Sequence, residues 1–269
     1  MTGWDSLQAE LDLWRARNRQ ATIWWRDDDA VRPGPALDRL LDLASRHDAP
    51  LALAVIPAAA ETALAQSLAG RPQDEAPVAV LQHGYAHRNH EPEDRKKYEL
   101  GPARPAARVL AELVDGRDRL KEVFGTRALP VLVPPWNRIA AELLPALPAL
   151  GFRGLSAYTR RDAAYPAPGL LQVNCHLDPI GWKPARRFLG EGAALDLLCG
   201  HLAARREGRA DPQEPSGILT HHAVHDEALW RFLDRLLAAL SAHPGAGLLT
   251  AAAVFDIEQR HEHDVPLSA

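Results

Sequence analysis

The chain reads as an α/β protein built on a mostly parallel sheet, in the manner of an α/β barrel. Short apolar runs alternate with segments of helical spacing from residue 20 to residue 257. Clusters of aspartate and histidine stand directly after apolar runs, at the carboxyl ends of the expected strands, where parallel α/β folds collect their chemistry. The length of 269 residues suits a single-domain barrel, which typically takes about 250. No low-complexity linker or internal repeat divides the sequence. One domain over 1–269 is expected, with an N-terminal helix over 1–19, a barrel over 20–257 and a tail over 258–269.

The elements follow in order. Asp5 with Gln8 can cap a helix running to about Asn18. Thr22 to Arg26 is an apolar strand. Pro35 to His47 has helical spacing through Leu37, Leu40, Leu41 and Ala44. Leu51 to Ile56 is a strand closed by Pro57, and a helix near Glu61 to Leu68 leads to the strand Val78 to Gln82. Pro105 to Phe124 is a long amphipathic helix ended by Gly125. Leu129 to Val133 is a strand stopped by Pro134 and Pro135. Ile139 to Leu150 has helical spacing interrupted by Pro145 and Pro148, and Phe152 to Ala157 is a strand. Leu170 to Asp178 alternates throughout, with Leu171, Val173, Cys175 and Leu177 on one face and Gln172, Asn174, His176 and Asp178 on the other. A helix over Ala193 to Arg206, a polar loop from Glu207 to Pro215 and a strand from Gly217 to Thr220 come next. Asp226 caps a helix to Ala242, and Leu248 to Ile257 completes the fold.

Composition narrows the function. Hydrophobic residues make up 46% of the chain, enough for a sizeable core, and the net charge of −4 leaves no basic footprint for nucleic acid. No apolar run reaches 18 residues, so no transmembrane helix is expected. The segment from Met1 to Asp5 lacks a basic region followed by an apolar stretch, and so does not read as a secretory signal. Cys175 and Cys199 are too few for a disulfide framework and read as buried reduced thiols. A cytoplasmic location is expected.

Three motifs carry chemistry. Asp27, Asp28 and Asp29 follow the run Thr22–Trp25. Adjacent carboxylates repel, and a cation is the expected compensation. One of them can hold a metal while a neighbour takes a proton from water. Arg26 and Asp28, two residues apart, share a side of the strand, so Arg26 would orient Asp28. In the second motif, His83 and His87 are four apart with His90 nearby, a spacing used for zinc, and Gly84 permits a tight bend. In the third, His221 and His222 follow Ile218–Thr220, with His225 and Asp226 just beyond, and a histidine there can protonate a leaving amine. Two further groups extend the pocket. Pro134–Arg138 forms a rigid turn presenting Trp136 and Asn137. His176 and Asp178 lie on one strand face, with Trp182 beyond. Trp24 and Trp25 read as core.

Taken in order, these residues resemble the polysaccharide deacetylase (NodB-like, carbohydrate esterase family 4) superfamily. Arg26-Asp27-Asp28-Asp29-Ala30 is similar to its first motif, an Asp-Asp pair before a small residue. His83-Gly84-Tyr85-Ala86-His87 is similar to the second, His-(Ser/Thr)-x-x-His, with Gly84 in place of the hydroxyl residue. Val133-Pro134-Pro135-Trp136-Asn137 is similar to the third, Arg-Pro-Pro-aromatic-Gly. Asp178 and Trp182 are similar to the Asp and Trp of the fourth, and Leu219-Thr220-His221 matches the Leu-x-His of the fifth. The resemblance spans about residues 20 to 257. It implies a distorted (β/α)7 barrel with a divalent metal, zinc first, and cobalt, nickel or manganese also suited to two nitrogens and a carboxylate. It also implies that the second Asp of the pair and both motif histidines bind the metal, that the first Asp is the base, and that the motif-five histidine is the acid.

This chain departs from the pattern at three places. The third aspartate allows two registers. Asp28 as base with Asp29 as ligand is preferred because Ala30 then takes the small position; the alternative is Asp27 as base with Asp28 as ligand. Val133 replaces the arginine that orients the base, and Arg26 or Arg138 can substitute. His222 follows His221, and the Leu-x-His spacing favours His221 as acid. The expected protein is a metal-dependent hydrolase of a non-peptide C–N bond, acting on an N-acetylated sugar or a small soluble N-acyl compound rather than cell-wall polymer. Asp29, His83 and His87 would be the ligands, and backbone N–H groups of Tyr85 or Asn137 would serve the oxyanion. Arg26, Trp136, Asn137, His176, Asp178, Trp182 and His222 would line the substrate pocket. A catalytically inactive sugar- or metal-binding protein on the same fold, and a ureide-ring amidohydrolase, are the alternatives.

Overall fold

A computed structural model describes residues 3–71, 77–183 and 186–257. The tail expected over 258–269 lies outside the described residues. Helix α1 (Gly3–Arg15) precedes β1 (Ala21–Ala30), α2 (Pro35–Arg46), β2 (Leu51–Val55), α3 (Thr62–Ala69) and β3 (Val78–His83). Then come α4 (Ala106–Phe124), β4 (Ala128–Val133), β5 (Gly154–Leu155) and β6 (Leu171–Gln172), and a two-stranded antiparallel ribbon of β7 (Ile180–Gly181) and β8 (Arg187–Phe188). Helix α5 (Glu191–Arg206), β9 (Ser216–Thr220), α6 (Glu227–Ala242), β10 (Ala246–Leu248) and α7 (Ala251–Val254) complete the described chain.

Eight strands form one parallel sheet in the order β10-β1-β2-β3-β4-β5-β6, with β9 paired to β1. The sheet curls until the chain beyond β6 meets β9. The N–H groups of His176 and Leu177 donate to Gly217 O, and Leu219 N–H donates to Leu177 O. A Cβ on Gly217 would lie 2.6 Å from both Asn174 O and Cys175 Cα, so this closure requires glycine. The result is a distorted (β/α)7 barrel with β10 as an added strand.

Both faces of the strands are buried, as parallel sheets demand. Trp24, Ala52, Ala54, Leu81, Val131, Val133, Val173, Cys175 and Leu219 fill the interior. Their sequence neighbours Ile23, Trp25, Leu51, Leu53, Val55, Val80 and Ile218 pack outward against the helices. Val109 and Leu113 of α4 cover Leu132, Phe152 and Leu155 on the remaining side.

Several expected elements are shorter or divided. The span 139–150 forms only a 3₁₀ turn over Ala141–Ala146, because Pro145 and Pro148 carry no N–H for an α-helical ladder. The strand expected over Phe152–Ala157 reduces to Gly154–Leu155. That expected over Leu170–Asp178 reduces to Leu171–Gln172 plus single bridges at Leu170, Cys175 and Leu177. Helix α1 begins at Gly3, which puts Asp5 in its first turn rather than at its cap. Leu248–Ile257 divides between the end of β10 and α7. Strand β1 runs beyond Arg26 to Ala30 and takes all three aspartates into the sheet. Among the described residues no helix is long and apolar enough to cross a membrane.

Candidate metal centre and catalytic site

Alternation along β1 sends Trp24, Arg26 and Asp28 into the barrel and Trp25 and Asp27 outward. Asp27 accordingly sits against β9. It accepts hydrogen bonds from Thr220 Oγ1 at 2.7 Å and His222 N at 2.9 Å, and lies 2.5 Å from His222 Nδ1. Strict alternation would send Asp29 the same way. Instead β1 gains one residue on β2, with Asp27 opposite Leu53 and Ala30 opposite Val55, and Asp29 adopts a left-handed φ of 72°. This bulge aims Asp29 at the barrel mouth.

There Asp29 Oδ1 lies 3.2 Å from His83 Nε2 and 3.4 Å from His87 Nε2. The three ligand atoms form a compact group, and Asp29 Oδ1 is buried without a hydrogen-bond partner. His83 Nδ1 is 2.9 Å from Val133 O. A carbonyl only accepts, so Nδ1 carries a proton and Nε2 is the atom offered to the centre. An orphaned carboxylate oxygen facing two imidazole nitrogens fits a divalent cation such as zinc. Burial opposes ionisation of Asp29, but the His83, His221 and His87 imidazoles outweigh it and hold the carboxyl well below the usual range. Burial also works against a charged His83, yet Asp28 and Asp29 raise its pKa. Burial and the neighbouring His83 lower that of His87.

The loop carrying His87 is fixed by a residue that sequence reasoning missed. Glu99, fully buried, accepts from the N–H groups of Tyr85 (2.9 Å), Ala86 (2.7 Å) and Arg88 (3.3 Å). Gly84 and His87 both have left-handed φ, 57° and 53°. Glu99 sits in the polar stretch 91–99, where nothing in the pattern distinguishes it from its charged neighbours. His87 also packs on Trp136, with ring centroids 4.5 Å apart.

Arg26 grips Asp28 from two sides, Nε to Oδ1 at 2.8 Å and Nη2 to Oδ2 at 3.1 Å. Its other donors reach Ser156 Oγ at 2.6 Å, Ala157 O at 3.3 Å and Asn137 Oδ1 at 2.8 Å. Ser156, also missed, closes the short strand β5; its position at a strand end was the available signal. Arg138 turns away, donating to Lys97 O and packing over Tyr98. Both expected oxyanion donors are corrected: Tyr85 N–H is taken by Glu99, and Asn137 N–H donates to Pro134 O.

His221 faces the mouth. Its Nδ1 is buried and makes no hydrogen bond among the described residues, and its ring meets Trp182 edge-on at 4.7 Å. Asp178 accepts from Trp182 Nε1 at 2.7 Å and Ile180 N at 3.0 Å. Burial raises the pKa of Asp178, against the opposing pull of the Trp182 bond and His221. Asp28, Asp29, His83, His87, Trp136, Asn137, Asp178, Trp182 and His221 thus gather at one end of the barrel, with Arg26 beneath.

Three expected site residues do not join them. Asp27 and His222 pair with each other on the outer face, as alternation requires. His176 is displaced by a second bulge. Two successive N–H groups, of His176 and Leu177, share Gly217 O, so the side-chain phase slips by one. Leu177 then joins the outer core, Asp178 enters the mouth, and His176 stacks on His201 of α5 with centroids 3.4 Å apart. His176, His201 and Glu214 form a second compact group of potential ligands, but one ill-suited to a cation. Gly217 N–H donates to His176 Nδ1 at 3.1 Å, leaving the proton on Nε2. Two nearly parallel rings also cannot aim in-plane lone pairs at one ion.

No protein-family model matches the sequence, and no curated protein matches it. Solved structures do. A protein described only provisionally as a polysaccharide deacetylase, from Mycobacterium smegmatis, aligns with a TM-score of 0.64 at 15% identity, covering 90% of this chain and 92% of that one. A family 4 carbohydrate esterase from Streptomyces lividans aligns at 0.52 and 15% identity, covering 82% and 88%. A peptidoglycan deacetylase from Bacillus subtilis aligns at 0.51 and 17% identity, covering 90% and 94%. At these identities the likeness is one of architecture, and the chain has the NodB-type (β/α)7 fold of the polysaccharide deacetylases.

Proposed function

We propose that the protein is a metal-dependent deacetylase that cleaves the amide C–N bond of an N-acylated sugar or a related small N-acyl compound. The convergence of Asp29 with His83 and His87 around an orphaned carboxylate oxygen carries this reading. A divalent ion held by these three residues supplies Lewis acidity toward the acyl oxygen and makes water more acidic.

The chain's own groups do the rest. Arg26 fixes both oxygens of Asp28 and leaves each a free lone pair, so Asp28 accepts the proton of the attacking water. Water oxygen bonds the acyl carbon as the C–N bond breaks. His221, steadied by Trp182, delivers a proton from its ring to the departing nitrogen, and a carboxylate and an amine leave. Trp136 and Trp182 flank the two imidazoles His87 and His221, and offer apolar faces to a sugar ring.

The test is elemental analysis of wild type beside His83→Ala, followed by acetate release from a panel of N-acyl substrates. Wild type carrying about one equivalent of zinc, cobalt, nickel or manganese, lost in the variant and coupled to acetate release, is the expected result. A wild-type protein that takes up no such ion removes the proposal. Metal-loaded protein that binds a sugar but releases nothing replaces it with a binding role.

A further inference from the structure

A second cavity, of about 740 Å³, opens at the other end of the barrel, lined by Gln20 and Thr22 at the start of β1 and by Leu171 at the start of β6. Thr22 and Asp29 lie seven residues apart on one strand, roughly 23 Å at about 3.3 Å per residue, so this floor cavity is remote from the metal centre. Its volume falls within the range of small-molecule sites, about 300–1,000 Å³.

The charge around it is unbalanced. Arg205 is 2% exposed and donates to neutral acceptors only: Thr22 O at 2.8 Å, Thr22 Oγ1 at 2.7 Å, Ser216 Oγ at 3.1 Å and Pro212 O at 3.5 Å. Its Nε is buried without a partner. Among the described residues no carboxylate lies within ion-pair distance of Arg205 or of Arg19, and both guanidinium carbons stand 5.1 Å from the Trp14 ring. Arg161, the third cation of the wall, is paired with Asp211 at 2.6 Å and lies 3.6 Å from Glu214. Three guanidinium groups therefore meet two carboxylates, one of the three being a buried cation without a counterion, which is a costly arrangement in an apolar wall. Burial lowers the Arg205 pKa to about 10, against the partial support of Glu214 and Asp211.

We infer that the floor cavity binds a small organic anion, its phosphate or carboxylate group set against Arg19 and Arg205 and its body against the exposed ring of Tyr165. The site would act as a ligand-binding site separate from the hydrolytic centre, and the inference does not rest on the deacetylase reading.

Thermal unfolding and calorimetric titration of the full chain test it with glucose 6-phosphate, inorganic phosphate and citrate, each against sodium chloride at matched ionic strength. At least one anion is expected to bind saturably with one-to-one stoichiometry and, at a hundredfold excess over Kd, to raise Tm by about 5–10 °C. Response to glucose 6-phosphate and phosphate but not citrate assigns a phosphate site, and the converse a carboxylate site. Arg19→Glu, at an exposed position outside the core, should abolish the shift, and Arg205→Met should do so where it folds. His83→Ala should retain it. Three results would overturn the inference: no saturable effect beyond chloride, an undiminished effect in Arg19→Glu, or an effect lost in His83→Ala, which would place the anion at the metal centre.

Discussion

Replacing Gly84 with serine, the hydroxyl residue common at this place in the second deacetylase motif, should damage the proposed metal centre rather than improve it. A Cβ at Gly84 would collide with Glu99 Oε2 and stand 2.6 Å from the Pro135 ring, on a backbone with φ of 57°. The left-handed conformation alone costs a side-chain residue about 1–2 kcal/mol. The contact with Glu99 costs more, because that carboxylate cannot withdraw without releasing backbone N–H groups of the loop. Hydrogen bonds to a charged group are each worth about 1.5–3 kcal/mol. Loss of two brings the total to several kcal/mol, enough to open the loop and displace His87, three residues on. Cobalt titration followed by visible absorption, with Tm measured in parallel, reads the outcome. Gly84→Ser should lose at least about a hundredfold in cobalt affinity, and Glu99→Gln, which keeps the shape but not the charge, about tenfold. A Gly84→Ser protein with wild-type affinity, spectrum and Tm would refute the view that Glu99 and a left-handed glycine together hold the ligand loop.

Other substitutions separate the remaining roles. Asp29→Asn should abolish metal uptake. Asp27→Asn should retain the metal while lowering Tm, since breaking a buried pair costs about 3–5 kcal/mol; metal lost in Asp28→Asn but kept in Asp29→Asn would favour the other register, with Asp27 as base and Asp28 as ligand. Arg26→Lys cannot grip Asp28, Ser156 and Asn137 together, so kcat should fall about a hundredfold with metal content unchanged, and unchanged kcat would count against Asp28 as the base. Burial, His176 and Arg205 lower the His201 pKa to about 2, so the folded state keeps this imidazole neutral while the unfolded chain protonates it below about pH 6.5. Stability is therefore lost as pH falls through that value, by about 2 kcal/mol at pH 5. Urea unfolding at pH 7 and pH 5 should show a smaller loss in His201→Phe, and an equal loss would place the acid sensitivity elsewhere.

The barrel was legible because apolar runs and helical periods alternate over nearly the whole chain, and the polar clusters at the strand ends marked the mouth. Less legible were features set by non-local pairing. Strands β5 and β6 pair over two residues each, and a residue count cannot tell such a strand from a loop. The exchange of Val133 for arginine was visible as a gap, but its compensation depends on Ser156, just after β5, and Asn137, in the turn after β4, meeting Arg26. Residues 170–178 alternate without fault in sequence, and from that pattern His176 and Asp178 share a face. The structure sends them to opposite sides because one extra residue enters the pairing with β9, a register fact that belongs to both strands and to neither sequence segment alone.

The same logic resolves the three adjacent aspartates. Side by side and ionised they would repel, and the sequence alone points to a cation for the whole group. The fold instead divides them. Alternation turns Asp27 outward to Thr220 and His222, and Asp28 inward to the bidentate grip of Arg26. The bulge then rotates Asp29 toward His83 and His87. Two carboxylates thus have protein partners of opposite charge or matched donors, and only the third offers an unpartnered oxygen. One cation at Asp29 would suffice for the single carboxylate that the fold leaves with an unpartnered oxygen. Without the bulge, strict alternation would turn Asp29 outward beside Asp27 and leave Asp28 on Arg26, so the proposed division of base and ligand depends on strand register as well as on residue type.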